Sequence, residues 1–178
     1  MLKQTQYNRN GKSKMITFKA IDQEILKQIP KGDAGFEMDK AELYGVHEFA
    51  DGGAIVIKES DNGDVYQLLA DWESAVKLIN YDGFGVLTTG WAAPIQKDET
   101  GEEDNTVPPS QHPERTRVRL FVYCDSQGNV SSSVRFKDER ELQYDENQAR
   151  GSLKDSMLRL FQDKKDAANA FKNFSKPI

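Results

Sequence analysis

Arginines recur at every second position in one segment of the chain, at Arg115, Arg117 and Arg119. Side chains alternate between the two faces of a β-strand, so this spacing places all three arginines on one face if the segment is a strand. Guanidinium groups bind phosphates through paired N–H donors and stack on aromatic rings. The spacing therefore indicates a surface for phosphate-bearing ligands, such as nucleotides or single-stranded nucleic acid.

The same segment belongs to a predicted β-hairpin. Polar and apolar residues alternate over 115–124 and over 130–136, and the turn between them contains Gly128, which can adopt a positive φ. Alternation on both sides of a short turn is typical of two paired antiparallel strands. We therefore predict a hairpin at the centre of the fold.

The register of this hairpin predicts an unfavourable pair of like charges. If Cys124 pairs with Val130, Arg119 lies directly opposite Arg135, and four arginines share one face. Like charges directly opposite each other on a hairpin repel, so we expect an acidic group beside this pair. Its source stays open: an outside anion, the acidic segment 98–104, or a carboxylate on a covering helix.

The register also predicts a core face and an outer face. Val122 shares its face with Leu120 and Cys124, which are apolar, so this face is expected in the core. Phe121 and Tyr123 share the face of the arginines, which we expect to be exposed. Tyr123 is therefore a candidate ligand contact, and Val122→Ala is expected to cost more stability than Phe121→Ala.

Trp91 and His112 are the other candidate binding residues. Trp91 ends a predicted strand over Phe84–Trp91, and His112 lies in the segment Pro109–Glu114, just before the hairpin. We expect both to line one recess together with the arginines. The commoner roles are structural, in which the tryptophan covers a strand end and the histidine is incidental.

Few residues predict catalysis. His112 beside a glutamate could ligate a metal or act as a general base, but His47, the other histidine, is far away in the sequence and completes no recognised ligand spacing. The single cysteine, Cys124, excludes an internal disulfide and a thiolate zinc cluster. We therefore assign no catalytic residue, no metal ligand and no cofactor.

Hydrophobic periodicity predicts the remaining elements. Apolar residues at three- and four-residue steps predict helices over 20–29, 65–80 and 152–173, and a short apolar run predicts a strand of about five residues from Ala54. Together with the strand ending at Trp91 and the hairpin, they predict an α+β fold. The predicted fold consists of a small, mainly antiparallel sheet with a central β-hairpin, covered by two or three helices including a C-terminal helix.

Composition predicts one domain with two solvated segments. Residues 1–14 are basic and 96–110 are acidic, and neither can bury much apolar area, so we predict a mobile basic arm, a single domain over 15–178 and an acidic loop within it. A net charge of −5 argues against coating of nucleic acid by the whole surface. Apolar runs are too short for a membrane span and no secretory signal is evident, so we expect a cytoplasmic protein without a membrane partner.

One stretch resembles a known group of proteins. The block Gly83-Phe-Gly-Val-Leu-Thr-Thr-Gly-Trp-Ala-Ala-Pro94, a variable loop, and then Pro109-Ser-Gln-His-Pro-Glu-Arg-Thr-Arg-Val-Arg-Leu120 is similar to uncharacterised small proteins of actinobacteria and their phages. The resemblance implies a phage or mobile-element context. It implies no mechanism, because the group carries no assigned activity.

These observations favour a non-catalytic phage or mobile-element accessory protein that binds an anionic partner, a nucleic acid or nucleotide. Two alternatives stay open: an acidic protein-binding inhibitor that mimics nucleic acid against a host protein, and a small metal-dependent hydrolase or nuclease using His112. The oligomeric state is open as well. The candidate ligand-binding residues are Arg115, Arg117, Arg119, Arg135, Trp91, His112 and Tyr123.

Overall fold

The computed structural model describes residues 17–104, 106–138 and 142–175. The predicted mobile arm, residues 1–14, lies outside the described residues.

An antiparallel sheet of six strands forms the middle layer, in the order β2-β1-β3-β6-β7-β8. The strands β6 and β7 are the predicted hairpin, and β3 is the strand predicted to end at Trp91. The α+β class is confirmed, with an antiparallel sheet and a C-terminal helix. The strand bounds are β1 Ala41–Glu48, β2 Ala54–Asn62, β3 Gly83–Ala92, β4 Gln96–Lys97, β5 Glu103–Asp104, β6 Thr116–Cys124, β7 Val130–Phe136 and β8 Gln143–Asp145.

The register predicted for the hairpin is confirmed. Cys124 pairs with Val130, and Arg119 lies directly opposite Arg135. The turn is stabilised from within, because the Asp125 carboxylate accepts hydrogen bonds from backbone N–H groups further along it. Gly128 adopts a φ of +83°, which is the left-handed conformation that the turn requires.

In the described part of the chain four α-helices flank the sheet, and two of them replace a single predicted helix. The predicted helix 65–80 is split at Asp71, whose extended backbone ends one helix and whose side chain caps the next by accepting from Glu73 N. An aspartate side chain competes in this way with a continuous helix. The helix bounds are α1 Phe18–Leu26, α2 Val65–Ala70, α3 Trp72–Lys77 and α4 Ser152–Ser175.

Several strands escaped prediction. The strand β1 is buried along most of its length on both faces, so its sequence lacks the polar and apolar alternation that reveals a strand. The strand β8 has three residues and is exposed. The acidic segment 96–110 contains a two-stranded ribbon, β4 paired with β5, where the sequence predicts only a loop.

One face of the sheet packs against α2, α3 and α4 and is apolar. Val122 is buried there, as predicted, and its neighbours on β3 and β1 are Val86 and Leu43. From the helices, Leu78 and Met157 complete the same cluster without measurable exposure. Burial of this apolar area supplies the main free energy of folding.

The other face packs against α1, which corrects a prediction. Phe121 and Tyr123, predicted to be exposed, are only 1% and 3% exposed, because Phe18 of α1 stacks over both rings at centroid distances of 6.1 and 6.4 Å. Ile21 and Ile25 continue the contact along the helix. The sheet is therefore the middle of three layers, and β6 is buried on both sides.

In the part of the chain that the structure describes, no helix combines the length and the apolar character needed to cross a membrane.

The burial of both faces reverses the expected order of two core substitutions. Phe121→Ala should cost about 3 to 5 kcal/mol of unfolding free energy, and Val122→Ala about 2 kcal/mol, because both sites are buried and phenylalanine loses more contact area. Urea denaturation of both variants measures the order. A smaller cost for Phe121→Ala would mean that α1 does not cover the sheet in solution.

Candidate functional site

The strand pairing brings the predicted arginines to the α1 side of the sheet, but into different surroundings. Arg117 and Arg119 lie on β6, Arg135 lies across from Arg119 on β7, and Arg115 directly precedes β6. Their exposure falls along the strand, from exposed Arg115 through half-buried Arg117 to buried Arg119. The arginines therefore differ in the groups that they contact.

Arg135 is satisfied within the chain. Its two terminal nitrogens donate to the two oxygens of Asp22 on α1, at 3.0 and 2.6 Å. The Ser133 hydroxyl donates to the same carboxylate at 2.6 Å, and the Tyr144 hydroxyl at 2.9 Å. Of the three sources left open for the acidic group, the carboxylate on a covering helix is the one found beside Arg135.

Asp22 is a fully buried carboxylate that stays charged. Burial alone would raise its pKa, but the hydrogen bonds from Arg135 and Ser133 and the charge of Arg135 act more strongly in the opposite direction. The pKa of Asp22 is therefore lowered below its ordinary value. The group holds α1 against β7 and β8 as a structural ion pair.

Arg119 has no such partner. Only 8% of the residue is exposed, and among the described residues no carboxylate lies within ion-pair distance of it. One terminal nitrogen donates to the carbonyl of Gly35 at 3.1 Å, and the guanidinium lies 5.0 Å from the ring centroid of Phe36. Its Nε has no hydrogen-bond partner in the described part of the chain. Burial, and then repulsion by Arg135, lower the pKa of this guanidinium.

Arg115, Arg117 and Trp91 form an exposed surface that we call the arginine–tryptophan platform. The two guanidinium carbons lie 4.9 and 4.7 Å from the indole centroid, within the range of cation–π contact. Trp91 is 38% exposed. Arg117 donates to Phe36 O and Thr89 Oγ1, both at 3.3 Å, so part of its N–H set is already used.

The platform arginines have free donors. Among the described residues the Arg115 side chain makes one hydrogen bond, from a terminal nitrogen to the carbonyl of His112 at 3.1 Å. A guanidinium carries five N–H groups, so both platform arginines keep donors for a ligand. Within the described ranges, no carboxylate forms an ion pair with either of them.

Tyr123 does not belong to the site. Its ring is under α1, and its hydroxyl donates to Glu48 Oε1 at 2.5 Å, which ties β6 to the end of β1. Burial, followed by the adjacent Glu48, raises the pKa of this phenol. The open face on which Tyr123 is predicted to contact a ligand is covered by α1, so the prediction that this face is exposed is wrong.

His112 contacts the platform through its backbone carbonyl, which accepts from Arg115, but it lines a recess that the platform residues do not line. Its side chain is buried, its Nδ1 accepts the backbone N–H of Glu114 at 3.0 Å, and it lines a recess of about 580 Å³ with Ile95 and Val107. Trp91 does not line that recess, so the predicted common recess is not formed. No group of three or more potential metal-ligating side chains occurs within the described residues.

Two aspartates of the acidic segment accept hydrogen bonds from the segment itself. Asp98 accepts hydrogen bonds from the Thr100 hydroxyl and from the backbone of Thr100 and Glu102, and these bonds lower its pKa. Backbone and side-chain bonds from Thr106 lower the pKa of Asp104. In the described residues, no carboxylate of 98–104 pairs with the arginines.

Asp22 is the main residue that sequence reasoning missed, although a signal exists. In α1 the buried residues Phe18, Ile21 and Ile25 define one helical stripe, and Asp22 falls on it. An acid on an apolar stripe is expected to be buried and paired. Gly35 and Phe36 carry no comparable signal, because they contact the arginines across a long sequence separation.

The chain matches no family model, and neither curated proteins nor solved structures include a significant match to it. The geometry of the site is therefore the basis for inferring a function.

The Asp22–Arg135 pair predicts a large effect of a small substitution. Asp22→Asn should cost about 3 to 5 kcal/mol of unfolding free energy, because it leaves the Arg135 charge buried without its counter-ion. Asp33→Asn is the matched control, since Asp33 is exposed and lies 3.9 Å from Lys137; it should cost less than about 1 kcal/mol. Chemical denaturation measures both. Equal losses of unfolding free energy in the two variants would mean that the Asp22–Arg135 pair contributes no more than an exposed ion pair.

The lowered pKa of Asp22 also predicts a dependence on pH. The contribution of a carboxylate with a lowered folded-state pKa is complete above its unfolded value, about 3.9, and is lost as pH falls through the folded value. The stability difference between the wild type and Asp22→Asn should thus stay constant from neutral pH to about 5 and shrink below about 4. Urea melts over this range test it, and a difference that already disappears near pH 6 would contradict the lowered pKa.

Proposed function

We propose that the protein is a non-catalytic binding module whose arginine–tryptophan platform takes an anionic ligand, either a nucleotide or a single-stranded nucleic acid. The observation that carries the proposal is the pair of guanidinium groups at 4.7 and 4.9 Å from one exposed indole. A base can stack on such a ring while the guanidinium forks bind its phosphate.

The charge distribution supports this assignment. The chain carries a net charge of −5, yet Arg115, Arg117 and Arg119 follow one another along a strand without a carboxylate partner among the described residues. A concentrated positive field on an otherwise acidic surface steers anions to one place and repels them elsewhere. Binding would therefore be local, at the platform.

Arg135 and Tyr123 are not part of the proposed contact. Arg135 is neutralised by Asp22, and Tyr123 is enclosed by α1. The proposed ligand contacts are therefore limited to the platform residues, at the exposed end of the arginine row. This limit also favours a small footprint, such as one or two nucleotides.

The two alternative functions receive less support. A hydrolase using His112 would need that ring to be available, whereas the ring is buried with Nδ1 engaged. A nucleic-acid mimic would use the exposed carboxylates of 98–104, and two of them, Asp98 and Asp104, already accept hydrogen bonds from their own segment. The phage or mobile-element context and the cytoplasmic location belong to the proposal and rest on the sequence resemblance and composition.

Loss of the two platform arginines should remove the binding. In a Trp72→Phe background, which leaves Trp91 as the single tryptophan, a short oligothymidylate should quench the fluorescence. Arg115→Gln with Arg117→Gln should weaken binding by about tenfold or more, since charge-assisted hydrogen bonds are lost. The log–log salt slope should become shallower by about 0.7 for each phosphate contact removed.

The control for this experiment is Arg159→Gln, which removes an exposed arginine from α4 on the opposite side of the sheet. It should leave both affinity and salt slope unchanged. Competition by mononucleotides shows whether the platform binds a single nucleotide or requires a longer single strand. If the wild type binds neither oligothymidylate nor mononucleotides at low salt, the proposed function is overturned.

A further inference from the structure

The segment Gly32–Phe36, a short 3₁₀ turn after α1, lies over two of the arginines, and we call it the cover segment. The carbonyl of Phe36 accepts from Arg117 Nε at 3.3 Å, and the carbonyl of Gly35 accepts from Arg119 at 3.1 Å. The Phe36 ring lies under the guanidinium of Arg119. Two acceptor oxygens and one planar ring thus contact Arg117, which belongs to the platform, and Arg119, which lies beside it.

The contacts leave Arg119 incompletely satisfied. A buried guanidinium without a carboxylate is costly, and here one of its N–H groups has no acceptor in the described residues. A carbonyl is a neutral acceptor, whereas a phosphate oxygen is charged and makes a stronger bond to a guanidinium. Arg119 would therefore gain more from a phosphate than it gains from Gly35.

The cover segment is weakly held. Residues 31–34 are exposed, although Gly35 is buried, and the ion pairs that Asp33 and the adjacent Glu37 form with Lys137 are long, at 3.9 and 3.8 Å. On its other side it borders an open recess of about 350 Å³, lined by Pro30, Ala34 and Met38. Segments with few buried contacts open at low free energy.

We propose that the cover segment is a displaceable lid on an anion site, and that a ligand phosphate replaces the carbonyl oxygens of Gly35 and Phe36 on Arg119 and Arg117. This inference rests on the proposed function and deepens it, because it adds Arg119 as the innermost phosphate contact. The ligand class is a phosphate ester, either a mononucleotide or the backbone of a single strand. The closed form competes with the ligand for the same donors.

Gly35 provides a way to open the lid. A Cβ at this position would lie 2.6 Å from an Arg119 terminal nitrogen and 2.6 Å from the carbonyl of Pro30. The arginine end can move aside, but the backbone carbonyl cannot do so without shifting the segment. Gly35→Ala should therefore push the cover segment away from Arg119.

The experiment compares phosphate affinity with the lid closed and open. Gly35→Ala should tighten the binding of oligothymidylate and of inorganic pyrophosphate by about tenfold, because the apparent dissociation constant scales inversely with the open fraction. Gly63→Ala is the matched control, since a Cβ there meets nothing within 4 Å; it should change nothing. Phe36→Ala, which removes the ring from Arg119, is the second opening variant if Gly35→Ala folds poorly.

The role of Arg119 is tested in both backgrounds. Arg119→Gln should abolish the gain in Gly35→Ala but have a smaller effect in the wild type, where the lid covers that side chain. Hydrogen exchange of the amides of residues 33–37 in the wild type should accelerate when oligothymidylate is added. Slower exchange in the complex would mean that ligand binding closes the segment, which contradicts the lid.

The outcomes separate this inference from the proposed function. Binding by the wild type without tightening in Gly35→Ala or Phe36→Ala overturns the lid and leaves the platform standing. Binding by the opened variants alone supports the lid and overturns the platform as a site that is open in the wild type. If no variant binds either probe, both proposals fail.

Discussion

The buried ion pair between Asp22 and Arg135 determines how α1 lies on the sheet. Apolar contact alone is non-directional, and it would allow Phe18, Ile21 and Ile25 to slide over the aromatic face. A fully buried carboxylate tolerates no such freedom, because each oxygen needs donors at hydrogen-bond distance. The donors come from β7 and β8, 111 to 122 residues further along the chain. The pair therefore selects one position of the helix, while the apolar residues supply the stabilising area.

The same pair determines the charge of the site. The strand register places Arg119 opposite Arg135, and among the described residues Asp22 is the one carboxylate between the helix and these two arginines. Asp22 pairs with Arg135, so Arg119 has no ion-pair partner in that part of the chain, and its outer neighbours Arg117 and Arg115 add to the excess charge. The proposed anion site depends on this imbalance, because a carboxylate beside each arginine would neutralise the charge that an outside anion could bind. The cover segment reduces the imbalance only with neutral carbonyl groups.

The two faces of β6 pack against layers of different composition. Val122 and Cys124 face a mainly apolar layer formed with α2, α3 and α4, in which close packing determines most of the fit. Phe121 and Arg119 face a layer that combines aromatic rings with ionic groups. Along that second face the burial decreases from Tyr123 through Arg119 to Arg115. The structural and the accessible parts of one arginine row are thus separated simply by how far α1 and the cover segment extend.

The hairpin, its register and the row of arginines were predictable, because alternation with period two and the turn at Gly128 are local properties of the chain. The register also predicted an acidic group beside the Arg119–Arg135 pair, since like charges lie opposite each other there. Three features became clear from the fold alone: the acid is Asp22, α1 buries Phe121 and Tyr123, and β1 joins the sheet without an alternating pattern. The physical reason is sequence separation, because each of these features depends on contacts between segments that are far apart in the chain. A local sequence pattern does not indicate which distant surface a helix will cover.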